Sequence, residues 1–512
     1  MLPYQTLIPF ESNSKKAIYE QIAINFINLI NKGSIPAGTK LPSYRALADL
    51  LKLHRKTIVA AYEELITQGW IVAKSKSGYY VNADISASDI STDSISGSRY
   101  PSKSPISLKI QCPNLPKEID GANEIFIDDG LPDSRIAPYK ALLREFKSLS
   151  ERDYNLKGAN YGSAFKSSRL KDALVSHLVN TRGINHSASN IFITNGAQMG
   201  IYLVGKALIN TNDIYLVGSP GYDIAKLSFE ANGARIIEIP VDDYGIDVDE
   251  IAKICKRESV RGVYVIPHHH YPTTVTLSPE RRIRLLSLAH QYNFAIIEDD
   301  YDYDFHYSSA PYLPMASYNH GGRVIYIGSL SKCFSSSLRF GFVVGSEELI
   351  NAFTYIRKTI DIRGDILMEN ALAALFENGE IQRHLRKSLK TYKERRDYMC
   401  MQIDTYLKNY VSYHVPSGGM AVWMEFRKDY NVERIASSLK KQGIAFSSNI
   451  LFSHHDLNNI RLGFASLSFK EIDICIEGIK TALICQNSPC SSTLFSSKKF
   501  SKYATSSPNE KQ

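Results

Sequence analysis

The chain has 512 residues, 44% of them hydrophobic and 22% charged, a composition typical of a soluble protein with several domains. No stretch approaches the roughly 18–20 apolar residues of a membrane span, and residues 1–10 lack the order of a secretory signal, so we expect a cytoplasmic protein. The seven cysteines are scattered without a C-x-x-C pair, so neither a disulfide framework nor a zinc knuckle is indicated.

The net charge of +8 is concentrated at the two ends of the chain. Residues 1–82 carry ten basic and five acidic side chains, residues 487–512 carry four and one, and the residues between them are balanced. A basic module beside a neutral body is typical of a surface that contacts nucleic-acid phosphates, although a solvated basic face is the commoner reason for such a pattern.

Residues 12–82 are predicted to form a winged helix-turn-helix domain. A helix over 15–31 has apolar residues at helical spacing, two short helices follow, the second over 55–68, and segments 70–72 and 78–81 form a hairpin. The segment IPAGTKLPSYRALADLLKLHRKTIVAAYEELITQGWIVAKSKSGYYV closely resembles the DNA-binding domain of GntR-family regulators, almost without gaps.

By position, this resemblance implies a set of DNA-contacting residues. In a recognition helix the first turn enters the major groove, an arginine can donate two hydrogen bonds to guanine, and free amides bind phosphate. His54 stands where the family usually has Ser or Thr, and Lys56 where it often has Asn, so the resemblance does not give the operator sequence. The set comprises Ser43, Arg45, His54, Arg55, Lys56, Thr57, Lys76 and Gly78.

The rest of the chain divides into a linker, a large body and a tail. Ser, Asp and Thr without a regular period predict a flexible linker over 83–120, and the Ser- and Lys-rich segment 487–512 is predicted to be disordered. The body, 121–486, alternates short β-branched runs with helical segments such as 198–208 and 279–292. This alternation predicts an α/β fold with a mostly parallel sheet, whose ligand site lies at the carboxyl ends of the strands. The runs are 191–194, 214–217, 235–239, 262–266, 294–297, 324–327 and 340–344.

The segment VIYIGSLSKCFSSSLRFGFVV puts Lys332 on a loop that leaves a predicted strand. A buried lysine can act as a nucleophile, and nearby hydroxyls and a guanidinium suit a phosphate group. Three such groups, Ser329, Ser331 and Arg339, lie within seven positions of the lysine. The combination predicts pyridoxal phosphate.

A second strand ends in FAIIEDDYDYDF, which places Asp299 and Tyr301 at the same edge of the sheet. A carboxylate at that position would keep a pyridinium nitrogen protonated, as the cofactor requires. Taken alone, an acidic cluster after a strand is more often a metal site or a helix cap. Together with Lys332, it supports the cofactor prediction.

The body from 128 to 484 resembles the fold-type-I aminotransferases, most closely the version joined to a GntR domain in the MocR family of transcriptional regulators. The motifs DDGLPD, YGSAF, TNGAQMGI, GSPGYDIAK, PHHHYPTTVTLS, EDDYD, SLSK and IRLGFA occur in order. The resemblance implies that Lys332 forms the internal aldimine with pyridoxal 5'-phosphate and that Asp299 pairs with the ring nitrogen. It also implies that Tyr301 contacts the ring hydroxyl and that Tyr222 stacks on the ring.

The same resemblance implies a phosphate site and a substrate site. Arg461 matches the arginine that grips a substrate carboxylate in the family. The residues that match the phosphate site are Gly196, Ala197, Gln198, Ser329, Ser331 and Arg339.

Two positions depart from the family pattern. Tyr271 replaces the Asn of the N-P-x-G motif, and Ser336 with Ser337 replaces a Pro-Gly pair. We therefore expect aldimine chemistry to be kept and complete transamination to be less efficient. The histidines at 268–270 look like a metal patch, but their position in the family's Ser-His-Gln stretch favours lining of the cofactor pocket, so no metal is predicted.

The leading hypothesis is a transcriptional regulator that binds pyridoxal phosphate and double-stranded DNA, and that senses the cofactor or a small amine or amino acid through aldimine formation. The alternative is an active aminotransferase that carries a DNA-binding domain, and a third hypothesis is a body that only dimerises. The resemblance implies a homodimer, and a dimer would bind paired half-sites on DNA. The sequence does not give the effector, the operator or the sign of regulation.

Overall fold

The computed structural model describes residues 3–84, 106–107, 125–151, 169–307, 311–447, 450–452 and 457–487. Contacts divide the chain into two compact units, Met1–Leu115 and Pro116–Gln512. Most of the predicted linker, the YGSAF motif and the predicted tail beyond residue 487 lie outside the described residues. The boundaries at 82, 120 and 486 therefore stay predictions.

The first unit is a small helical domain with a two-stranded hairpin. Antiparallel pairing of the hairpin strands sets Ile71 opposite Val81. Phe26 and Leu65, on two different helices, are fully buried in the common core. This is the predicted winged helix-turn-helix. Its elements are α1 (Tyr4–Leu7), α2 (Ile18–Asn31), α3 (Tyr44–Leu51), α4 (Arg55–Thr67), β1 (Ile71–Lys74) and β2 (Gly78–Val81).

The second unit is built around an eight-stranded sheet. Its strands are β4 (Ile191–Thr194), β5 (Ile214–Ser219), β6 (Arg235–Asp242), β7 (Gly245–Ile246), β8 (Val260–Val265), β9 (Ala295–Asp300), β10 (Val324–Ser329) and β11 (Gly341–Val344), and β3 (Ile125–Ile127) precedes them outside this sheet. The strand order is β4-β11-β10-β9-β8-β5-β6-β7. Strands β10, β9, β8, β5 and β6 are mutually parallel, whereas β11 runs antiparallel between β4 and β10. The predicted mostly parallel sheet is confirmed.

Helices cover both faces of this sheet, so its strands are apolar on both sides. Along β9, Ile296 faces one core and Ile297 the other, and Tyr326 and Ile327 alternate in the same way along β10. Helices α5, α6, α9 and α10 cover one face, and α7, α8 and α12 the other. The helices are α5 (Tyr139–Ser150), α6 (Arg169–Arg182), α7 (Ala197–Leu208), α8 (Asp223–Ala231), α9 (Val248–Cys255), α10 (Pro279–Tyr292), α11 (Leu330–Cys333) and α12 (Glu347–Arg357).

A carboxyl-terminal layer with its own core completes the second unit. It contains a four-stranded antiparallel sheet in the order β12-β13-β16-β15, for which the sequence analysis had assigned no strands. Strand β14 pairs in parallel with β3, so the segment that enters the second unit belongs to this layer. Helix α13 (Ile366–Glu377) precedes this layer and packs in the core of the large sheet. The elements of the layer are α14 (Glu380–Tyr406), β12 (Val411–Tyr413), β13 (Ala421–Phe426), α15 (Val432–Lys441), β14 (Ile444–Phe446), β15 (Leu451–Phe452), β16 (Asn459–Gly463) and α16 (Phe469–Asn487).

Among the described residues, no helix is both long enough and apolar enough to cross a membrane.

Helix α7 approaches the sheet closely at Gly200. A Cβ atom at this position would lie 2.8 Å from Cγ2 of Val343 on β11 and 3.4 Å from Cγ2 of Ile327 on β10. Real Cβ atoms do not come as close as 2.8 Å to another carbon, so a side chain here would push the helix away from the sheet.

We expect Gly200→Ala to destabilise the second unit by about 1–3 kcal/mol, because the added methyl overpacks a buried contact. Urea unfolding followed by circular dichroism measures the change. Lys206→Ala is the matched control, because Lys206 is an exposed residue on the same helix. Equal stability of the wild type and Gly200→Ala would show that the helix can shift without cost.

Candidate functional site

The lysine and the aspartate that sequence analysis selected lie at the carboxyl edge of the large sheet. Strands β9 and β10 are parallel neighbours, with Asp299 in register with Ile327. Asp299 is the last residue but one of β9, and Lys332 lies on the one-turn helix α11 that directly follows β10. The sheet topology therefore brings these two side chains to the same edge, as the strand-end argument predicted.

Asp299 is a buried carboxylate with one free oxygen. Its Oδ2 accepts a hydrogen bond of 2.6 Å from the Tyr264 hydroxyl, and its Oδ1 is buried with no hydrogen-bond partner among the described residues. Burial raises the pKa of the Asp299 carboxyl to about 7, and the neighbouring charges of Asp300 and Asp302 add to the rise. A cationic N–H donor placed at Oδ1 would satisfy this oxygen and favour the ionised carboxylate.

Lys332 is held by a backbone contact. Its Nζ donates to the carbonyl oxygen of Gly130 at 2.6 Å and lies 5.7 Å from the centre of the Tyr301 ring. Burial lowers the pKa of the Lys332 amine, although the charges of Asp129 and Asp128 oppose the change. A lysine with a lowered pKa is more often neutral, which is the nucleophilic form.

The amino end of α7 forms a cradle with Arg339. Gly196 adopts a φ of +84°, and the Thr194 hydroxyl donates to its carbonyl oxygen at 2.9 Å. A Cβ on Gly196 would lie only 2.5 Å from Nη2 of Arg339, so the arginine packs directly on this glycine. Ala197 and Gln198 begin the helix, where backbone amides have no acceptor within the helix. The arrangement suits an anion such as phosphate.

Three other residues predicted for the phosphate site have their side chains engaged within the protein. The Ser329 hydroxyl accepts from the Ser331 amide at 3.2 Å, and the Ser331 hydroxyl donates to the Leu338 carbonyl at 2.9 Å. The Gln198 side chain is directed toward α8, where Nε2 donates to the Ser228 hydroxyl at 2.7 Å. Their part in phosphate binding stays a prediction, and for Gln198 it is the backbone amide that is well placed.

Two tyrosines predicted to meet the cofactor ring lie near this edge. Tyr222 precedes α8 and packs edge to face on Tyr271, with ring centres 5.6 Å apart. Burial raises the pKa of the Tyr222 hydroxyl to about 12. The Tyr301 hydroxyl donates to the His269 carbonyl at 3.0 Å and accepts from Arg461 at 3.3 Å. The contact of Tyr301 with a ring hydroxyl stays a prediction.

Arg461 on β16 is 2% exposed and contacts several protein acceptors. Its Nε donates to the Asp129 carbonyl at 2.8 Å and its Nη1 to the Pro272 carbonyl at 2.6 Å, in addition to the bond with Tyr301. The Tyr271 ring covers the guanidinium at 4.8 Å. A substrate carboxylate would have to compete with these acceptors, so the predicted substrate contact is not preformed.

The three consecutive histidines contact different protein groups. His268 pairs with Asp300 at 3.0 Å and His269 with Asp302 at 2.8 Å, whereas Nε2 of His270 meets the Pro220 carbonyl at 2.9 Å. Within the described ranges, no group of three or more His, Cys, Asp or Glu residues is placed to hold a metal ion.

Sequence reasoning missed two residues at this edge. Tyr264 contacts Asp299 because β8 and β9 are neighbouring parallel strands. The sequence feature that could have indicated Tyr264 is a single tyrosine within an aliphatic strand segment. The carbonyl of Asp129 accepts a hydrogen bond from Arg461. The sequence feature that could have indicated Asp129 is the pair of acids in DDGLPD. A cavity of about 380 Å³ opens next to Tyr222 and Tyr264.

The helix-turn-helix residues predicted to contact DNA lie mostly on the surface of the first unit. Ser43 caps α3 by accepting from the Ala46 amide at 3.2 Å, and Nδ1 of His54 caps α4 by accepting from the Lys56 amide at 3.2 Å. His54 thus serves as the N-cap of α4 at a position where the family usually has Ser or Thr. Exposed members are Ser43, Arg45, His54, Arg55 and Lys56, whereas Thr57 is partly buried.

A tyrosine brings two of these arginines together. The guanidinium carbons of Arg45 on α3 and Arg55 on α4 lie 5.9 and 5.3 Å from the centre of the Tyr44 ring. Cation–π contacts of this kind position both guanidinium groups beside the first turn of α4.

The hairpin presents a second basic surface. Lys76 at the tip has a φ of +57° and Gly78 a φ of +107°, which lets the turn be tight. The ammonium groups of Lys40 and Lys74 lie 5.7 and 4.9 Å from the centre of the Tyr80 ring. This wing has the charge and shape for phosphate contacts.

Comparison with known sequences assigns both units. The model of the family described as "Aminotransferase class I and II" matches residues 136–479. The chain belongs to this aminotransferase family. The model described as "Bacterial regulatory proteins, gntR family" matches residues 18–81, so the aminotransferase unit follows a GntR-type DNA-binding domain.

The relatives of this aminotransferase-family chain include regulators with the same two parts. The HTH-type transcriptional regulator YisV of Bacillus subtilis is 27% identical over 91% of this chain and 95% of its own length. The probable rhizopine catabolism regulatory protein MocR of Rhizobium meliloti is 25% identical over 92% of this chain and 93% of its own. The predicted MocR-type architecture is confirmed.

A solved structure supports the fold of the aminotransferase unit. Pyrococcus horikoshii kynurenine aminotransferase, crystallised with PMP, is 26% identical, with a TM-score of 0.65 over 71% of this chain and 91% of its own. The α/β fold-type-I prediction is confirmed, and pyridoxal phosphate is the cofactor of this family. The unpartnered Oδ1 of Asp299 and the glycine cradle under Arg339 fit that group.

We expect the stability of the cofactor-free protein to depend on the pH through Asp299. The folded carboxyl has a pKa of about 7 against an ordinary 3.8, so the folded protein retains a proton that the unfolded chain loses, and the unfolding free energy falls as the pH rises through this window. Asp299→Asn should lose less stability between pH 5 and pH 8 in urea unfolding. Asp243→Asn, at an exposed turn, should follow the wild type, and identical slopes for all three proteins would refute the assignment.

We expect Arg55→Ala to weaken binding to a DNA site selected from random sequences by about 1–3 kcal/mol and to relax its base preference. Lys76→Ala, which removes a predicted phosphate contact, should weaken binding to all sequences alike and lower the salt slope by about one. Fluorescence anisotropy at several salt concentrations measures both effects, with Lys206→Ala as the charge control. An unchanged base preference in Arg55→Ala would contradict a base contact.

Proposed function

We propose that this chain is a transcriptional regulator whose aminotransferase unit binds pyridoxal phosphate as a sensor, and whose DNA affinity changes when a small amine or amino acid reacts there. One observation carries the proposal. Lys332 with its lowered pKa, Asp299 with its free oxygen and the cradle at Gly196 have the chemistry that pyridoxal phosphate requires, in a chain that also carries a DNA-binding domain.

Five residues would hold the cofactor. Lys332 would bind it covalently, Asp299 would pair with its ring nitrogen, and Tyr222 would pack on its ring. The Ala197 amide and the Arg339 guanidinium would bind its phosphate. When bound, pyridoxal phosphate supplies an aldehyde that condenses with primary amines and a ring that withdraws electrons from the product.

The chain's own residues prepare the site for an incoming amine. Burial favours the neutral, reactive form of Lys332, and the Gly130 carbonyl fixes the position of its nitrogen. Tyr264 holds the Asp299 carboxylate in place through Oδ2, which leaves Oδ1 free to accept. These groups are present before any ligand binds, so little reorganisation is needed.

Sensing is favoured over turnover by the surroundings of Arg461. The family's Asn is replaced by Tyr271, and Arg461 already donates to the carbonyls of Asp129 and Pro272. The carboxylate of an α-amino acid would therefore have to compete with these carbonyls, and would be oriented less well for turnover. The second candidate, an active aminotransferase, is favoured by the presence of Lys332 and Asp299, because both are needed for proton removal from a bound amino acid.

We further propose a cytoplasmic homodimer that binds paired half-sites on DNA. A DNA-binding regulator must lie in the same compartment as its DNA, and DNA-binding domains that act in pairs read two half-sites. Ligand binding would shift the equilibrium between two arrangements of the dimer that differ in DNA affinity.

We expect purified full-length protein, loaded with pyridoxal phosphate and freed of unbound cofactor, to show a visible band at longer wavelength than that of the free cofactor, and Lys332→Ala to lose this shifted band because no covalent bond to the protein forms. Titration with amines should shift the band and the affinity for labelled DNA together. Lys206→Ala should behave as the wild type. A Lys332→Ala variant with unchanged absorbance and unchanged DNA regulation would leave the second unit as a dimerisation scaffold.

The same preparation separates sensing from catalysis. Incubation with an amino acid and a 2-oxo acid should give far less than the ~1–10³ turnovers per second of a working enzyme. Sustained turnover in that range would establish the aminotransferase instead.

A further inference from the structure

The positive charges of the first unit are not neutralised by neighbouring acids. Among the described residues, every ion pair between a lysine or arginine and a carboxylate lies in the second unit. Four cationic side chains of residues 3–84 instead lie against aromatic rings, two of them on Tyr44 and two on Tyr80. A ring attracts a cation without neutralising it, so the full charge stays available to DNA.

Tyr44 contacts arginines from two helices of the DNA-binding domain. It is the first residue of α3, and its partly buried ring packs against the core of the domain. Arg45 follows it on α3, whereas Arg55 is the first residue of α4. Their guanidinium carbons lie 5.9 and 5.3 Å from the centre of the ring. One anchored ring therefore holds two side chains that start from different helices.

A hydrogen bond ties the start of α3 to α4. The hydroxyl of Tyr62, on α4, donates to the carbonyl oxygen of Pro42 at 3.0 Å, and Tyr62 is 1% exposed. Pro42 comes directly before Ser43, the N-cap of α3. The Tyr44 ring thus belongs to the packed part of the domain, and its position relative to the first turn of α4 is fixed before DNA binds.

Contact with the ring reduces what the two arginines lose when they bind. Arginine side chains populate many rotamers in water, and ordering them at an interface costs affinity. Two guanidinium groups also repel each other, although water and salt screen this repulsion between exposed charges. Arg45 and Arg55 are both exposed, so their N–H groups remain accessible to phosphate oxygens and to O6 and N7 of guanine.

We propose that Tyr44 is a positioning residue for DNA recognition, whose ring holds Arg45 and Arg55 so that one guanidinium contacts a guanine and the other a neighbouring phosphate. This role rests on the DNA binding of the proposed function and requires neither the cofactor nor the effector. Because Tyr44 acts through the two arginines, its removal matters only while they are present. The ring also affects base preference, because two hydrogen bonds to one guanine require a guanidinium held in one orientation.

A mutant cycle on the full chain tests this role. Fluorescence anisotropy at low salt, where weakened variants still bind, gives the affinity for a DNA site selected with the wild type from random sequences. We expect Tyr44→Leu to weaken binding about tenfold, because two side chains must then be ordered on binding. In the background of Arg45→Ala with Arg55→Ala, the same substitution should change the affinity by less than about twofold.

Base preference and two further variants separate positioning from a structural role. On a panel of sites with single base changes, Tyr44→Leu should relax the preference at the same base pair as Arg55→Ala. Tyr44→Phe, which keeps the ring, should bind within about twofold of the wild type. Tyr80→Leu is the matched control, because its ring holds Lys40 and Lys74 of the wing, and its effect should be the same with or without the two arginines.

Urea unfolding checks that Tyr44→Leu is folded, and Tyr44→Met, with a flexible apolar side chain, takes its place if it is not. Three results would overturn the role of Tyr44: unchanged affinity and base preference without the ring, an equal loss in the arginine-free background, or a loss in Tyr44→Phe as large as in Tyr44→Leu. A wild type that selects no DNA site would instead refute the DNA binding of the proposed function, and the positioning role with it.

Discussion

Charged groups at the carboxyl edge of the large sheet are held away from water, and each must find a partner inside the protein. Lys332 and Arg461 accordingly donate to backbone carbonyls, and Asp299 accepts from a tyrosine hydroxyl. Desolvation shifts the pKa of the lysine down and that of the aspartate up. Burial of such groups costs folding free energy, and shifted pKa values of this kind are typical of functional sites.

The topology of the sheet determines which groups meet at this edge. Parallel strands β9 and β10 deliver the aspartate and the lysine side by side, and β8 delivers the tyrosine that holds the aspartate. On the other side of β10, the antiparallel strand β11 and helix α7 bring Arg339 against Gly196. An amine, a carboxylate and a cradle suited to an anion are thus brought to one edge of the sheet.

The positions of residues at strand ends and helix starts could be predicted from the sequence. Lys332, Asp299 and Gly196 each follow or begin a regular element, so their positions could be predicted from the alternation of strands and helices. Contacts made through backbone carbonyls could not, because a carbonyl carries no residue signature: Arg461 meets the carbonyls of Asp129 and Pro272, which are far apart in the chain. Nor could the pairing of β3 with β14, since both strands have only three residues.

Strand β3 is also the first described strand after the segment that leads from the DNA-binding domain. It pairs with the carboxyl-terminal layer, while the turn that follows it is pinned to the large sheet through Gly130 and to β16 through Asp129. The last residue of β3, Ile127, therefore stands three residues before Gly130, whose carbonyl accepts from the Lys332 nitrogen. A ligand that bonded to the Lys332 nitrogen would take away this hydrogen bond, so the turn directly after β3 would keep its contact with Arg461 and lose its contact with Lys332.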